Sequence, residues 1–536
     1  MVRVNFKNIS TSGFHEDALT TTTTGDTIFN FGRLTTTGDL SSDISAFADD
    51  VTIRNFSHIE TFGLGAPAIF AIGQNVKIDN YGYVATHGGV FDPDGAGLTS
   101  DAIAVVGDGF FIANHGTVRV EGAFSSALVG VGAGGLIVNY GQVQDLQPAG
   151  AEGSFAVGVI GDGSKAVNLG AIIGTGDGIA ALLVRGEAAV GLNGGHIQLT
   201  GDGNVGMLAQ LRDANLTNKG VIKVVGDDSF GMLVKGDGYH ISNSGNIETH
   251  GNFAVGIAGN GGLFFPAGEN IDIVNDGRVS THGDAAIGVA LGVNDFGIGT
   301  AVDGTVENHG SIVTDGDGAV GVLMIGSGHH LMNSGRIAAD GGAFSSELAG
   351  ELRAAGVAIS GDDALVENAR SGVIESMNTA SAAVEMNVIE RDGFPTAEMS
   401  SRLENSGIVK GASVAIQGGA GQETVVNHGQ IVGNVMLGAG DDTFVFGKGG
   451  HVVGDVYLGA GDDHVVVENG SGVSHIADLS TGDTVDVSAF FSNFSQLANH
   501  IAQQGSDVVV SLGHNDTLML EHTQIANLHL QDMFLV

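Results

Sequence analysis

Residues 216–222 read LTNKGVI and residues 241–247 read ISNSGNI. The two stretches lie 25 residues apart and share one pattern. An aliphatic residue is followed two positions on by asparagine, two after that by glycine, and four after the asparagine by a second aliphatic residue. Leu216 and Ile222 flank Asn218 as Ile241 and Ile247 flank Asn243. Apolar residues at these offsets, with alternation between them, have the period of two of a β-strand rather than the 3.6 of a helix.

The pattern recurs along most of the chain. It stands at Asn30, Asn80, Asn114, Asn139, Asn168, Asn193, Asn218, Asn243, Asn275, Asn308, Asn333, Asn405 and Asn427. Asn55 has serine in place of the glycine, and Asn368 carries two extra residues before its glycine. Counted from Asn30 the intervals are 25, 25, 34, 25, 29, 25, 25, 25, 32, 33, 25, 35, 37 and 22. A base period of 25 with insertions at fixed places is what a solenoid tolerates. The fold predicted is all-β, a right-handed parallel β-solenoid with two or three short strands per coil. Stacked asparagines would hydrogen-bond along its axis. The glycine after each is expected to allow positive φ at a corner, and Gly206, Gly231, Gly256, Gly288 and Gly321, thirteen residues after an asparagine, to mark another.

Composition sets limits on partners. The chain has 60 acidic and 20 basic residues, a formal charge of −40, which repels nucleic acid and anionic membranes and favours cations. At 43% hydrophobic it can bury a large core, unlike a disordered acidic chain. Ninety glycines against five prolines suit tight turns between short strands. No cysteine is present, so neither disulfides nor thiolate zinc sites are available. No apolar run is long enough for a membrane helix, and the N-terminal stretch lacks the form of a secretory signal peptide, so membrane insertion is not expected and export would use another signal.

Two acidic features are candidates for metal binding. Nine residues after the asparagine a column of aspartates falls in GD and GDG turns, including Asp177, Asp202, Asp227, Asp284 and Asp317. Like charges on adjacent coils repel by roughly 0.8 kcal/mol per pair even in water, so the column is either well solvated or bridged by cations. The second feature is a near-repeat: LGAGDDTFV from Leu437 and LGAGDDHVV from Leu458. Each matches eight of the nine positions of the calcium nonapeptide G-G-x-G-x-D-x-U-x, with leucine in place of the first glycine. The glycines let carbonyl oxygens turn toward a cation and the aspartate supplies a hard carboxylate. Two such loops 21 residues apart would stack as two walls of one Ca2+ site. The ligands expected are Asp442 and Asp463, with Gly438, Gly440, Gly459 and Gly461 through their carbonyls and Asp441 and Asp462 beside them. Phe444 and Val465 would point into the core.

This pair of nonapeptides resembles the RTX, or hemolysin-type, calcium repeat. The tail, with GDTVDVS at 482–488, DVVVSLGHNDTLML at 507–520 and a close on QDMFLV, is similar to the C-terminal end of RTX proteins exported by type I secretion in Gram-negative bacteria. The resemblance covers roughly residues 433–536 and implies bound calcium, an uncleaved C-terminal export signal recognised by the type I machinery, and an extracellular or cell-surface location. The asparagine coils separately resemble the passenger solenoids of surface adhesins and autotransporters. The organisation expected is a first segment or coil over 1–29, the solenoid over 30–432, calcium coils over 433–475, and a cap with the secretion signal over 476–536. Within the cap, Phe490, Phe491, Phe494, Leu497 and Ile501 predict a short amphipathic helix inside 488–504, followed by two strands.

The function expected is structural: a calcium-binding surface-layer, filament or adhesive protein, self-associating head-to-tail or laterally and open to a surface polysaccharide as partner. The rival is a polysaccharide lyase or epimerase on the same scaffold, and a plain calcium buffer is a third reading. A lyase needs clustered Arg, Lys or His beside acids to neutralise a uronate and move a proton. Here the basic residues, Arg185, Arg278 and Arg336 among them, are scattered, and the histidines recur in THG and NHG turns. The adjacent His329 and His330 are expected in a surface turn. Insertions at 91–98, 264–269 and 377–398 are where a binding surface would project, and the GAFSS segments at Gly122 and Gly342 look like a copied coil.

Overall fold

Strand Asn215–Asn218 pairs in parallel with strand His240–Asn243, and Asn218 sits opposite Asn243. The same relation, one strand with its equivalent a coil later, generates the whole architecture, a parallel β-solenoid. The computed structural model describes residues 1–92, 97–148, 153–260, 268–294, 297–298, 301–346, 350–387, 399–513 and 515–536. Chain contacts divide it into one unit of Met1–Ile271 with Asn294–Phe296 and a second of Asp272–Val293 with Gly297–Val536.

In the first unit a coil has three strands, for example Thr27–Asn30, Leu34–Thr36 and Ile44–Phe47. Each pairs in parallel with its counterparts in the coils on either side. Inward residues alternate with outward ones, so Ile28, Leu34 and Ile44 are buried at 2%, 0% and 0% exposure. Burying one such side chain stabilises by about 1.5–3 kcal/mol, and the repeat does so in every coil.

The asparagines are the polar counterpart of this core. Asn5 donates to Asn30, Asn30 to Asn55, Asn55 to Asn80, and the chain of side-chain bonds continues through Asn114, Asn139, Asn168, Asn193 and Asn218 to Asn243, at 2.8–2.9 Å. In the second unit it runs from Asn275 through Asn308, Asn333, Asn368 and Asn405 to Asn427. Apart from Asn5 they are fully buried, and each amide is satisfied by its neighbours, as burial demands. Asn5, one period before Asn30, extends the ladder beyond the sequence reading.

Two expectations about glycine are corrected. Gly116, Gly141 and Gly195, following the asparagines, do not have left-handed backbones. A Cβ on Gly141 would lie 2.0 Å from the carbonyl oxygen of Gly116, so close approach of neighbouring coils is what excludes a side chain. The thirteenth-position glycines mark no corner. Gly206 and Gly231 lie inside strands Val205–Arg212 and Phe230–Asp237, where a Cβ on Gly206 would meet Gly231 O at 2.5 Å. The GAFSS copies also differ: Gly122–Ser126 is a turn, whereas Ala343–Ser346 pairs antiparallel with Gly350–Arg353. Of the insertions, residues 93–96, 261–267 and 388–398 lie outside the described residues.

Toward the end of the second unit the asparagine ladder stops. Phe446 occupies the register position after Asn427, and Val467 the next. The helix predicted inside 488–504 is shorter, Phe494–Ala498, capped by the Asn493 side chain on the Gln496 N–H. Ile501 belongs instead to strand Ile501–Gln504, antiparallel to Asp507–Gly513. That pairing satisfies backbone groups that a longer helix would have used internally. Asp507–Gly513 pairs antiparallel with Asp516–Leu520, which lies parallel to Val473–Ile476 and so returns to the solenoid sheet.

Candidate metal-binding column

The two nonapeptide loops stack as their spacing predicts. Strands Thr443–Phe446 and His464–Val467 pair in parallel, with Phe444 opposite Val465, both fully buried. A bridge joins Ala439 to Ala460. The glycines Gly438, Gly440, Gly459 and Gly461 have φ of 107°, 127°, 102° and 155°, conformations that side chains disfavour.

Asp442 and Asp463 point inward and are each 1% exposed. Asp463 Oδ1 accepts the Asp442 N–H at 2.9 Å. Two neighbours missed in the sequence extend the column. Asp442 Oδ1 accepts the Glu423 N–H at 2.7 Å, and Asp483 Oδ1 accepts the Asp463 N–H at 3.2 Å. Glu423 stands in GGAGQETVV at 418–426, a nonapeptide with glutamate in the sixth position and the first glycine intact. The signal was present, but the glutamate and a 19-residue interval hid it. Asp483 takes the equivalent place in the next coil, His464 lying opposite Thr484.

One oxygen of Asp442 and one of Asp463 accept a main-chain N–H, and Glu423 Oε1 accepts the Asn387 side-chain amide at 3.1 Å. The other oxygen of each is orphaned: Asp442 Oδ2, Asp463 Oδ2 and Glu423 Oε2 are buried with no hydrogen-bond donor. Burial raises the Asp442 carboxyl to about 8, Glu423 to about 7 and Asp463 to about 6, the neighbouring acids adding to the rise at both aspartates. Hard carboxylate oxygens without donors on adjacent coils are the donor type calcium takes. Glu423 with Asp442, or Asp442 with Asp463, would hold an ion between neighbouring coils, and its charge would let the pair ionise together.

The remaining candidates are placed differently. Asp441 and Asp462 face solvent in a separate outer column, Asp441 Oδ1 accepting the Asp462 N–H at 2.9 Å. The Gly438 carbonyl is engaged by the Ala460 N–H at 3.0 Å. Asp478, unremarked in the sequence, accepts the N–H groups of Leu458 and Gly459. The corner aspartates repeat this motif. Asp177 accepts from the Asp202 N–H, Asp202 from Asp227 and Asp227 from Asn252; Asp284 accepts from Asp317 and Asp317 from Gly342. Each such carboxylate carries a coil-to-coil hydrogen bond at the surface.

Several histidines and arginines are likewise engaged in place. His87 lies between Glu60 and Glu121, His282 contacts Asp315, and His309 contacts Asp276. His115 stacks between Tyr81 and Tyr140. His330 contacts Glu367 near the surface, but His329 is 1% exposed, correcting its expected place in a surface turn: it receives the Gly304 N–H and faces the Ile325 carbonyl. Arg33, Arg54 and Arg402 each pair with a carboxylate, Glu60, Asp79 and Glu404.

Residues 32–267 match the family model of the BigA third pectate lyase-like domain. No curated protein matches the chain. Among solved structures, a chain of the cryo-EM structure of the Vag8–C1 inhibitor complex is similar over 89% of this chain and 99% of its own, at 17% identity and a TM-score of 0.47. Residues 32–267 are thus similar to a pectate lyase-like domain, and each unit of the chain is built of parallel β-coils.

Proposed function

We propose that the protein is an extracellular or cell-surface scaffold whose C-terminal coils are completed by calcium, and that it works by association rather than catalysis. The observation that carries this reading is the buried column of Glu423, Asp442, Asp463 and Asp483, in which three successive carboxylates each keep an oxygen without a hydrogen-bond donor. A divalent cation would convert a charge conflict into a cross-link between coils. The repeated coil pattern and the pairing of Arg33, Arg54 and Arg402 with nearby carboxylates support a scaffold. The tail's resemblance to type I export signals supports secretion by that route. Partners are copies of itself, head-to-tail or lateral, or a surface polymer.

Electron microscopy of the purified chain in millimolar calcium, and again after chelation, tests it. Ordered filaments or sheets that dissolve on chelation support the calcium-dependent scaffold. Isolated molecules in both conditions overturn self-assembly.

The match to a pectate lyase-like domain favours a second reading, action on an acidic polysaccharide. Turnover of pectate or alginate by the purified chain would establish it over the first.

A further inference from the structure

Outside the carboxylate column, a mixed cluster of ligating side chains lies where the solenoid meets its cap. His475 stands on strand Val473–Ile476, Asp455 precedes Val456–Tyr457 and Glu521 follows Asp516–Leu520. The three strands are neighbours: Val456 lies opposite Ile476, and His475 opposite Met519. His475 Nδ1 is 3.1 Å from Glu521 Oε1 and 4.0 Å from Asp455 Oδ1, and the three ligand atoms all lie within 4.8 Å of one another. The side chains are about one-fifth to one-third exposed, at 36%, 32% and 22% for Asp455, His475 and Glu521.

We propose that Asp455, His475 and Glu521 form a binding site for a first-row divalent transition cation of the zinc class. Ligand atoms around a tetrahedral zinc lie about 3.4 Å apart, so the observed spacing closes on such an ion with small side-chain movements. Two carboxylates against one imidazole leave a net negative charge whether or not the imidazole is protonated. Neither carboxylate has a Lys or Arg partner among the described ion pairs. Backbone bonds hold two ligands in place: the Asp455 N–H donates to Asn434 Oδ1 and the Glu521 N–H to the Ile476 carbonyl. The open side faces solvent, where water completes the shell. An imidazole nitrogen is a poor ligand for calcium and a good one for zinc, so this site selects a different ion from the column of Asp442 and Asp463. Segments 20 and 46 residues apart in sequence would be tied at one point, fastening the cap strand to the last coils.

The test is a Zn2+ titration of the full chain in saturating calcium, by calorimetry and by thermal unfolding, with Co2+ visible absorption as a spectroscopic check. One saturable site is expected whose affinity falls at least tenfold in His475→Ala and in the near-isosteric Glu521→Gln. Both variants keep the wild-type response to calcium, which shows that they fold, and His451→Ala keeps wild-type zinc affinity. Zinc affinity and stoichiometry unchanged in both His475→Ala and Glu521→Gln, or no saturable binding by the wild type, overturn the site.

Discussion

Asp463 Oδ1 receives the main-chain N–H of Asp442 at 2.9 Å, while Asp463 Oδ2 and Asp442 Oδ2 have no donor at all. Half of each carboxylate does a backbone acceptor's work and half is left over. That division sets the pH behaviour. The folded-state carboxyls lie at about 8 for Asp442, 7 for Glu423 and 6 for Asp463, against about 4 in an unfolded chain. Below pH 4 both states hold the protons and no effect arises. Between pH 4 and 8 the unfolded chain has released protons that the fold retains, so calcium-free stability falls as pH rises. Calcium needs the ionised form, so its affinity rises over the same window. Thermal unfolding at pH 5 and pH 8 should show stability falling with pH in chelator and nearly level in saturating calcium. Parallel slopes would remove the column as the calcium site.

Asp442→Asn and Asp463→Asn separate the two roles. The amide oxygen can still accept the neighbouring N–H, but the buried charge is gone. Each variant should be at least as stable as wild type in chelator at pH 8 and should lose most of the melting-temperature gain that calcium gives. A full calcium response in the double variant would count against the column.

Much of the fold was legible because its signal is local and repeated. An inward asparagine must find a partner one coil away, so its spacing is the coil length, and the 25-residue interval fixes the register directly. Glu423 escaped because the extra methylene and the shorter interval depart from the aspartate pattern, although the column asks only for a carboxylate at that height. Asn5 escaped because Lys7 occupies the position where later coils carry glycine. What the letters do not encode is the reason a small residue is needed. Glycine allows positive φ and also close approach, and only the distance from Gly141 to the Gly116 carbonyl tells which operates.

The ladder makes a quantitative prediction. Asn218→Ala removes the bond to Asn243 and takes the acceptor from Asn193, both at 2.8 Å. It also strips the Gly220 N–H of the Asn218 oxygen at 3.2 Å. Buried groups left unpaired cost about 1–3 kcal/mol each, so a loss of about 3 kcal/mol or more is expected by denaturant unfolding. A loss under 1 kcal/mol would mean that water or backbone rearrangement replaces the amide.

A pair of glycines distinguishes close approach from backbone strain. Gly141→Ala drives a Cβ to 2.0 Å from main chain that cannot yield without moving a neighbouring coil. Gly134→Ala, at φ 65° with open space around it, meets only the left-handed penalty of about 1–2 kcal/mol. Expression and thermal unfolding should show Gly141→Ala severely destabilised and Gly134→Ala mildly so. Equal effects would contradict the close-packed corner.

Along the same corner of the first unit, exposed rings form a stack. Phe6, Phe31, Phe56, Tyr81, His115 and Tyr140 follow one another at centroid separations of 4.7–5.2 Å and interplanar angles of 13° or less. Their faces cover one another, so solvent meets mainly edges, and the stack contributes more than isolated surface rings would. Phe56, between neighbours at 4.9 and 5.0 Å, is the central test. Aromatic pairs are worth about 0.5–1.5 kcal/mol beyond their area, so Phe56→Ala should cost about 1–3 kcal/mol, and Phe56→Leu, which restores bulk without a ring, should recover only part. A double-mutant cycle with Tyr81→Ala isolates the contact. Additive losses would show that the rings are merely adjacent, and coupling of about 1 kcal/mol would show that stacking itself stiffens the corner.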